Sequence, residues 1–264
     1  MRRVAPADKE ELLAIFQALR TLWGGADEFS VRRPDKEALQ RWWGNNKVRV
    51  GRHLLTLGAK DIAAGKRPPK ELEGQWKDRN FYGLRVISKR VLFVVDVSIS
   101  MEEPAVAGKD RKKIDVAKAE LKSAISALPA DATFGLVSFA ATATLWGKGM
   151  VTATPEVRKR ALAWVAALET KAATNIYDTL ELCLKLGRPD SGYEGAGEPD
   201  TFFFVSDGAP TVGKVIDPER ILAFVSRANE GRGIKIHCIG VGEDHDVDFL
   251  RKLAKQNQGH YVAR

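Results

Sequence analysis

The sequence predicts an α/β fold: a doubly wound, mostly parallel sheet with one antiparallel edge strand and helices on both faces, preceded by a small helical N-terminal segment. Three observations predict it. Val91-Leu92-Phe93-Val94-Val95 and Thr201-Phe202-Phe203-Phe204-Val205 are short runs of β-favouring residues, apolar at successive positions, which is the pattern of strands buried on both faces. Similar runs alternate with amphipathic helical patterns along residues 90–264, the order that builds parallel sheets. Both central runs end in an acid, Asp96 and Asp207, at the carboxyl ends where open α/β sheets hold their ligands.

Charge divides the chain before that sheet begins. Residues 1–90 carry 20 Lys and Arg against 11 Asp and Glu, and residues 91–264 carry 22 against 23, so the basic excess belongs to the first third. Within it, Leu12, Leu13, Phe16, Leu19 and Trp23 fall at helical spacing, and Pro34 precedes a second helical pattern with Leu39, Trp42 and Trp43. Charged residues around Gly65, Pro68, Pro69 and Gly74 read as linker. The expected layout is a basic helical segment and linker over 1–80 and a domain over 81–264. A basic face of this kind could meet nucleic acid, an acidic protein or an anionic surface, but a solvated face and tryptophans packed as core explain it without a partner, and no nucleic-acid motif accompanies it.

In the second part, Phe81 to Ile87 reads as an extended segment, expected at an edge of the sheet. After the Asp96 loop, the run Lys109 to Lys113 reads as a solvated helix start. Ile114, Ala117, Leu121, Ala124, Ile125 and Leu128 then mark a helix that covers one face. Thr133–Phe139 is the next strand. Thr142–Trp146 follows so closely that only a hairpin fits, hence the antiparallel edge. Thr154 before Pro155 and Asp217 before Pro218 are capped helix starts, Thr174 opens the helix containing Leu180 and Leu184, and Asp246 caps the last helix. Residues 187–200 read as a surface loop near the site end. Ile234–Gly240 and His260–Val262 complete the strands.

Several chemistries are excluded. Cys183 and Cys238 fall in a helix and a strand and read as buried thiols. His53, His237, His245 and His260 lack zinc-ligand spacing, with His245 read into a solvated acidic loop. No glycine-rich phosphate loop occurs. No apolar run approaches the ~20 residues that span a bilayer. Read with Met1 as its start, the chain has no signal-peptide region and is expected in the cytoplasm.

Asp96, Ser98 and Ser100 stand at alternate positions on the loop after the first central strand. All three are hard oxygen donors of the kind that suits a divalent cation. On these residues alone, capping of a turn or of the next helix explains the pattern equally well. Thr174 and Asp207 shift that balance. An Asp-x-Ser-x-Ser strand end, then a distant Thr, then an Asp at a second strand end resembles the metal-ion-dependent adhesion site of the von Willebrand factor A domain family, over about residues 90–264. Ile99 departs from the glycine of many relatives and leaves every ligand in place. More faintly, the N-terminal segment resembles the junction between HEAT-type repeats and such a domain in some large bacterial proteins.

The resemblance implies a Rossmann-like fold and a bound Mg2+, or Mn2+ or Ca2+. It implies that Ser98 and Ser100 ligate directly, that Asp96 and Asp207 act through water or hydrogen bonds, and that Thr174 enters or leaves with ligand state. The expected function is non-enzymatic: a protein-binding module whose cation takes an acidic side chain of a partner. The alternatives are an RNA-binding protein of the Ro type, using the basic N-terminal third, and an accessory subunit of an AAA+ or chelatase machine.

Overall fold

The computed structural model describes residues 79–264, apart from 107–109, 189–191 and 194. The readings made for residues 1–78 (basic helical segment, linker, repeat junction and nucleic-acid face) lie outside the described residues. The same holds for His53.

Two strands carry the architecture. β3 (Arg90–Asp96) and β7 (Thr201–Ser206) lie side by side in parallel, with Val91 opposite Thr201 and Val95 opposite Val205. β4 (Thr133–Phe139) flanks β3 in parallel, β8 (Lys235–Gly240) flanks β7, and β9 (Tyr261–Ala263) closes that side. On the outer side of β4, β5 (Ala143–Leu145) and β6 (Val151–Thr152) pair antiparallel. The antiparallel edge is therefore shared by two short strands. A two-residue strand such as β6 carries no period to read.

Alternation along β3 and β7 feeds two cores. Phe93, Val95, Phe203 and Val205 face one side, where they meet α1 (Lys113–Ala127) and α2 (Pro155–Ala166); Leu92, Val94, Phe202 and Phe204 face the other, under α3 (Ile176–Lys185), α4 (Pro218–Asn229) and α5 (Val247–Gln256). Both faces are covered, as an apolar parallel sheet requires. The caps on Thr154, Asp217 and Asp246 form as the sequence predicts, each side chain accepting from the backbone N–H three residues on. Cys183 and Cys238 are buried free thiols, and burial pushes both well above the ordinary range.

Three expectations are corrected. The segment after Arg79 is no edge of the main sheet: β1 (Asn80–Phe81) and β2 (Leu84–Arg85) form their own hairpin. Its Phe81 is inserted edge-on against Phe93 at 5.1 Å and Phe203 at 5.5 Å between ring centres. The loop before β7 lies at the amino ends of the strands, where Asp200 meets Arg90 at 3.2 Å, and not at the site end. His245 is buried rather than solvated, its Nδ1 2.5 Å from the Gly242 carbonyl oxygen and its Nε2 in contact with the Tyr261 hydroxyl.

Phe203 sits at the centre of the first core, stacked on Phe93 at 5.7 Å and on the His237 ring at 4.9 Å. Phe203→Ala should cost about 3–5 kcal/mol through lost transfer energy and the cavity left behind. Thermal denaturation followed by circular dichroism should show the midpoint falling by roughly 10 °C or more.

Candidate metal centre

The site is built at the carboxyl ends of β3 and β7. Beyond Asp96 the chain leaves the sheet, and after Ser98 it enters a short 3-10 turn, Ile99–Glu102. That turn brings the hydroxyls at 98 and 100 back toward β7. Ser98 Oγ and Ser100 Oγ are 3.0 Å apart, and Asp207 Oδ1 lies 2.9 Å from Ser100 Oγ and 3.4 Å from Ser98 Oγ. Three oxygens from two strand ends thus converge on one point.

Asp96 stands behind them, fully buried. Its Oδ1 accepts the Ser98 backbone N–H at 2.7 Å and its Oδ2 accepts the Ser206 hydroxyl at 2.7 Å. Burial pushes this carboxyl up to about 7, against the hydrogen bonds from Ser98 and Ser206, which favour the charged form. A positive charge at the neighbouring hydroxyls would favour the carboxylate again.

Thr174 reaches the same end by another route. Its segment is laced to both neighbouring strand ends: Lys171 N–H donates to the Val97 carbonyl at 2.7 Å, and Asn175 N–H to the Ala140 carbonyl at 2.8 Å. Ala173 takes a left-handed conformation at φ 70° to make the bend. Thr211, from the loop after β7, holds Thr174 by its backbone; its hydroxyl accepts the Thr174 N–H at 2.8 Å and its own N–H donates to the Thr174 carbonyl at 2.8 Å. The cap of α3 is Asn175 rather than Thr174: the Asn175 side chain accepts from Asp178 N–H at 3.2 Å and donates to the Ala141 carbonyl at 3.1 Å. The capping role that alone would account for a threonine here belongs to its neighbour.

All five residues singled out in the sequence are therefore at one end of the sheet. Ser98, Ser100 and Asp207 are in mutual contact, with Asp96 behind them, and Thr174 is held at the same end of the sheet by its backbone bonds to Thr211. The donor set fits a hard divalent cation. Adjacent oxygens around an octahedral ion with bonds of 2.0–2.1 Å are about 2.9 Å apart, close to two of the three separations found here, 2.9 and 3.0 Å. Ile99 projects from the rim, 66% exposed.

Sequence reasoning missed four contributors. Ser206 orients Asp96, Thr211 orients Thr174, and Lys113 with Glu103 borders Asp207. The lysine run is not uniformly solvated: Lys113 is buried, its ammonium 3.0 Å from Asp207 Oδ2 and 2.8 Å from Glu103 Oε2. A signal was present, since Lys113, Ala117 and Leu121 are spaced four apart, on the face of α1 that the sheet covers.

The model of the von Willebrand factor type A domain matches residues 89–263, and the chain belongs to this family. Among curated proteins it is similar to human inter-alpha-trypsin inhibitor heavy chain H4, 31% identical over 179 residues, covering 67% of this chain and 18% of that protein. It is also similar to heavy chain H3 of Mesocricetus auratus, 29% identical over 184 residues, covering 69% and 19%. The chain thus spans under a fifth of these relatives' length. Among solved structures, a von Willebrand factor type A protein from Catenulispora acidiphila superposes with a TM-score of 0.54 at 23% identity, over 68% of this chain and 39% of that one. BatB from Bacteroides thetaiotaomicron gives 0.50 at 17%, over 66% and 89%. Both structural likenesses concern the fold.

The division of labour between Thr174 and Asn175 can be measured. Asn175→Ala should lower stability by about 1–2 kcal/mol, the cost of a lost N-cap. Thr174→Val, which leaves the cap and the Thr211 bonds intact, should cost less. Urea denaturation midpoints at unchanged slope would show the order; equal losses would return the cap to Thr174.

Proposed function

We propose that residues 81–264 form a metal-dependent protein-binding module of adhesion or scaffold type, without catalytic activity, which takes a divalent cation and then an acidic side chain of a partner protein. The observation that carries this reading is the convergence of Ser98 Oγ, Ser100 Oγ and Asp207 Oδ1 at the carboxyl ends of two adjacent parallel strands. Ser98 and Ser100 would hold the ion through neutral oxygens, Thr174 would stand ready as a third, and Asp96 and Asp207 would supply the balancing charge. A bound divalent cation would offer a Lewis-acidic position at which a partner's carboxylate replaces water. Magnesium, manganese and calcium all suit oxygen donors.

Asp96 is occupied by Ser98 N–H and Ser206, so its charge supports the site from behind rather than closing it. Ile99 offers an apolar contact at the rim, so a partner with an acidic residue flanked by an apolar one would match the surface. The Ser206 hydroxyl is donated to Asp96 and the Ser100 hydroxyl to Asp207, so these serines serve to fix carboxylates rather than to attack a substrate. The curated relatives are named as heavy chains of an inhibitor, which favours binding over catalysis.

Calorimetric titration of Mg2+ and Mn2+ into chelator-treated protein should give one saturable site, lost or weakened at least tenfold in Asp96→Ala and Asp207→Ala while circular dichroism stays native. With Mn2+ bound, a short glutamate-containing peptide should reduce the paramagnetic relaxation of water protons by displacing a coordinated water, and its glutamine version should not. Absence of saturable binding in the parent protein would overturn the reading.

A further inference from the structure

Lysine is almost never fully buried unless it is paired, and the Lys113 side chain is only 4% exposed. The fold makes room for it. Gly242, in the turn after β8 at φ 82°, lies so close that a Cβ there would come within 2.4 Å of Lys113 Cε and 3.1 Å of Nζ. Backbone pairing holds the base of the side chain: Lys113 N–H donates to the Glu103 carbonyl at 2.9 Å, and Ala105 N–H to the Arg111 carbonyl at 2.9 Å.

The two partners of the ammonium are unequal. Glu103 is 58% exposed along its side chain, whereas the Asp207 side chain is fully buried. The exposed pair is screened by water; the buried one is not. The Lys113 ammonium lies within 3.0 Å of both carboxylates, 2.8 Å from Glu103 Oε2 and 3.0 Å from Asp207 Oδ2, so its charge is paired on two sides. It takes Asp207 Oδ2 and leaves Oδ1 turned to Ser98 and Ser100. One carboxylate is thus shared between a fixed monocation and the candidate cation position.

Asp96 and Asp207 would neutralise a dication, but with Lys113 the loaded site keeps one positive charge, only partly offset by exposed Glu103. We propose that Lys113 is a resident counter-cation of the site: it fixes the orientation of Asp207 before any metal arrives, and it leaves the loaded site net positive, favouring a carboxylate ligand at the expense of cation affinity. This rests on the divalent-cation reading above. It assigns Lys113 as a positioning and specificity-determining residue, acting through Asp207.

The test is the sign of the change. Lys113→Met keeps most of the buried stem and removes the charge. Its Mn2+ affinity, followed by electron paramagnetic resonance of the free ion, should rise by roughly tenfold, since a unit charge a few ångströms away is no longer repelling the ion. The affinity of the Mn2+-loaded protein for the glutamate peptide should fall by a similar factor. A residue with only a structural role would lower cation affinity when lost; Mn2+ binding equal to or weaker than the parent's would overturn the proposal. Glu103→Gln, an exposed change that should fold regardless, gives the opposite prediction. It unmasks Lys113, so Mn2+ should bind roughly two- to threefold more weakly at low salt, with the difference shrinking as salt is added. Should Lys113→Met fail to fold, unchanged or tighter Mn2+ binding by Glu103→Gln would overturn the proposal by itself. The parent titration stands apart: no Mn2+ binding there would refute the cation reading and with it this one, whereas parent binding with the wrong sign in the variants would refute only the role of Lys113.

Discussion

Five consecutive parallel partners, from Val91 opposite Thr201 to Val95 opposite Val205, decide where Asp96, Ser98, Ser100 and Asp207 stand relative to one another. Side chains alternate across a strand, so a slip of one residue would turn every side chain of β7 to the other face. Phe203 would leave the core it shares with Phe93 and Phe81, and the acid that ends β7 would move away from the serines. Because both cores are covered by helices, neither face tolerates the exchange. The packing that stabilises the domain is thus the same constraint that brings three oxygens within hydrogen-bonding distance at its rim.

The tie between packing and site explains what was legible in the sequence. The central strands were evident because burial on both faces leaves no polar position, and the acids ending each run stood out against that background. The capped helices were readable because Thr154-Pro155, Asp217-Pro218 and Asp246 carry their own local chemistry. Other features depend on contacts distant in sequence. Within Asn80–Arg85 the one local hint of a hairpin is Gly83, which with Tyr82 takes the positive φ of a two-residue turn; what seats the hairpin is Phe81 meeting Phe93 and Phe203. His245 sits among acids and reads as solvated, yet Tyr261 and the Gly242 carbonyl receive it. Ser206 and Thr211 look like ordinary strand-end and loop residues until Asp96 and Thr174 are seen beside them.

Lys113 illustrates the harder problem of charge in a basic run. Neighbours such as Lys112, paired with exposed Glu102, do what clustered lysines usually do on surfaces. One position further along, the helix turns inward, and Gly242 in a turn more than a hundred residues away opens the space. Residue type alone does not separate the two. Helical phase does, once the apolar stripe of α1 is extended back past Ile114.

The hairpin has a further consequence. The Arg264 guanidinium donates to the Tyr82 carbonyl at 2.9 Å, and Arg264 is bound through its backbone to Gly240 and Gly242 at the end of β8. The beginning and end of the described region are therefore clasped side by side. A domain joined in this way can sit within a longer polypeptide as a closed link. Tension applied through the flanking chain would fall first on the clasp between Tyr82 and Arg264, before reaching the strands that carry Asp96 and Asp207.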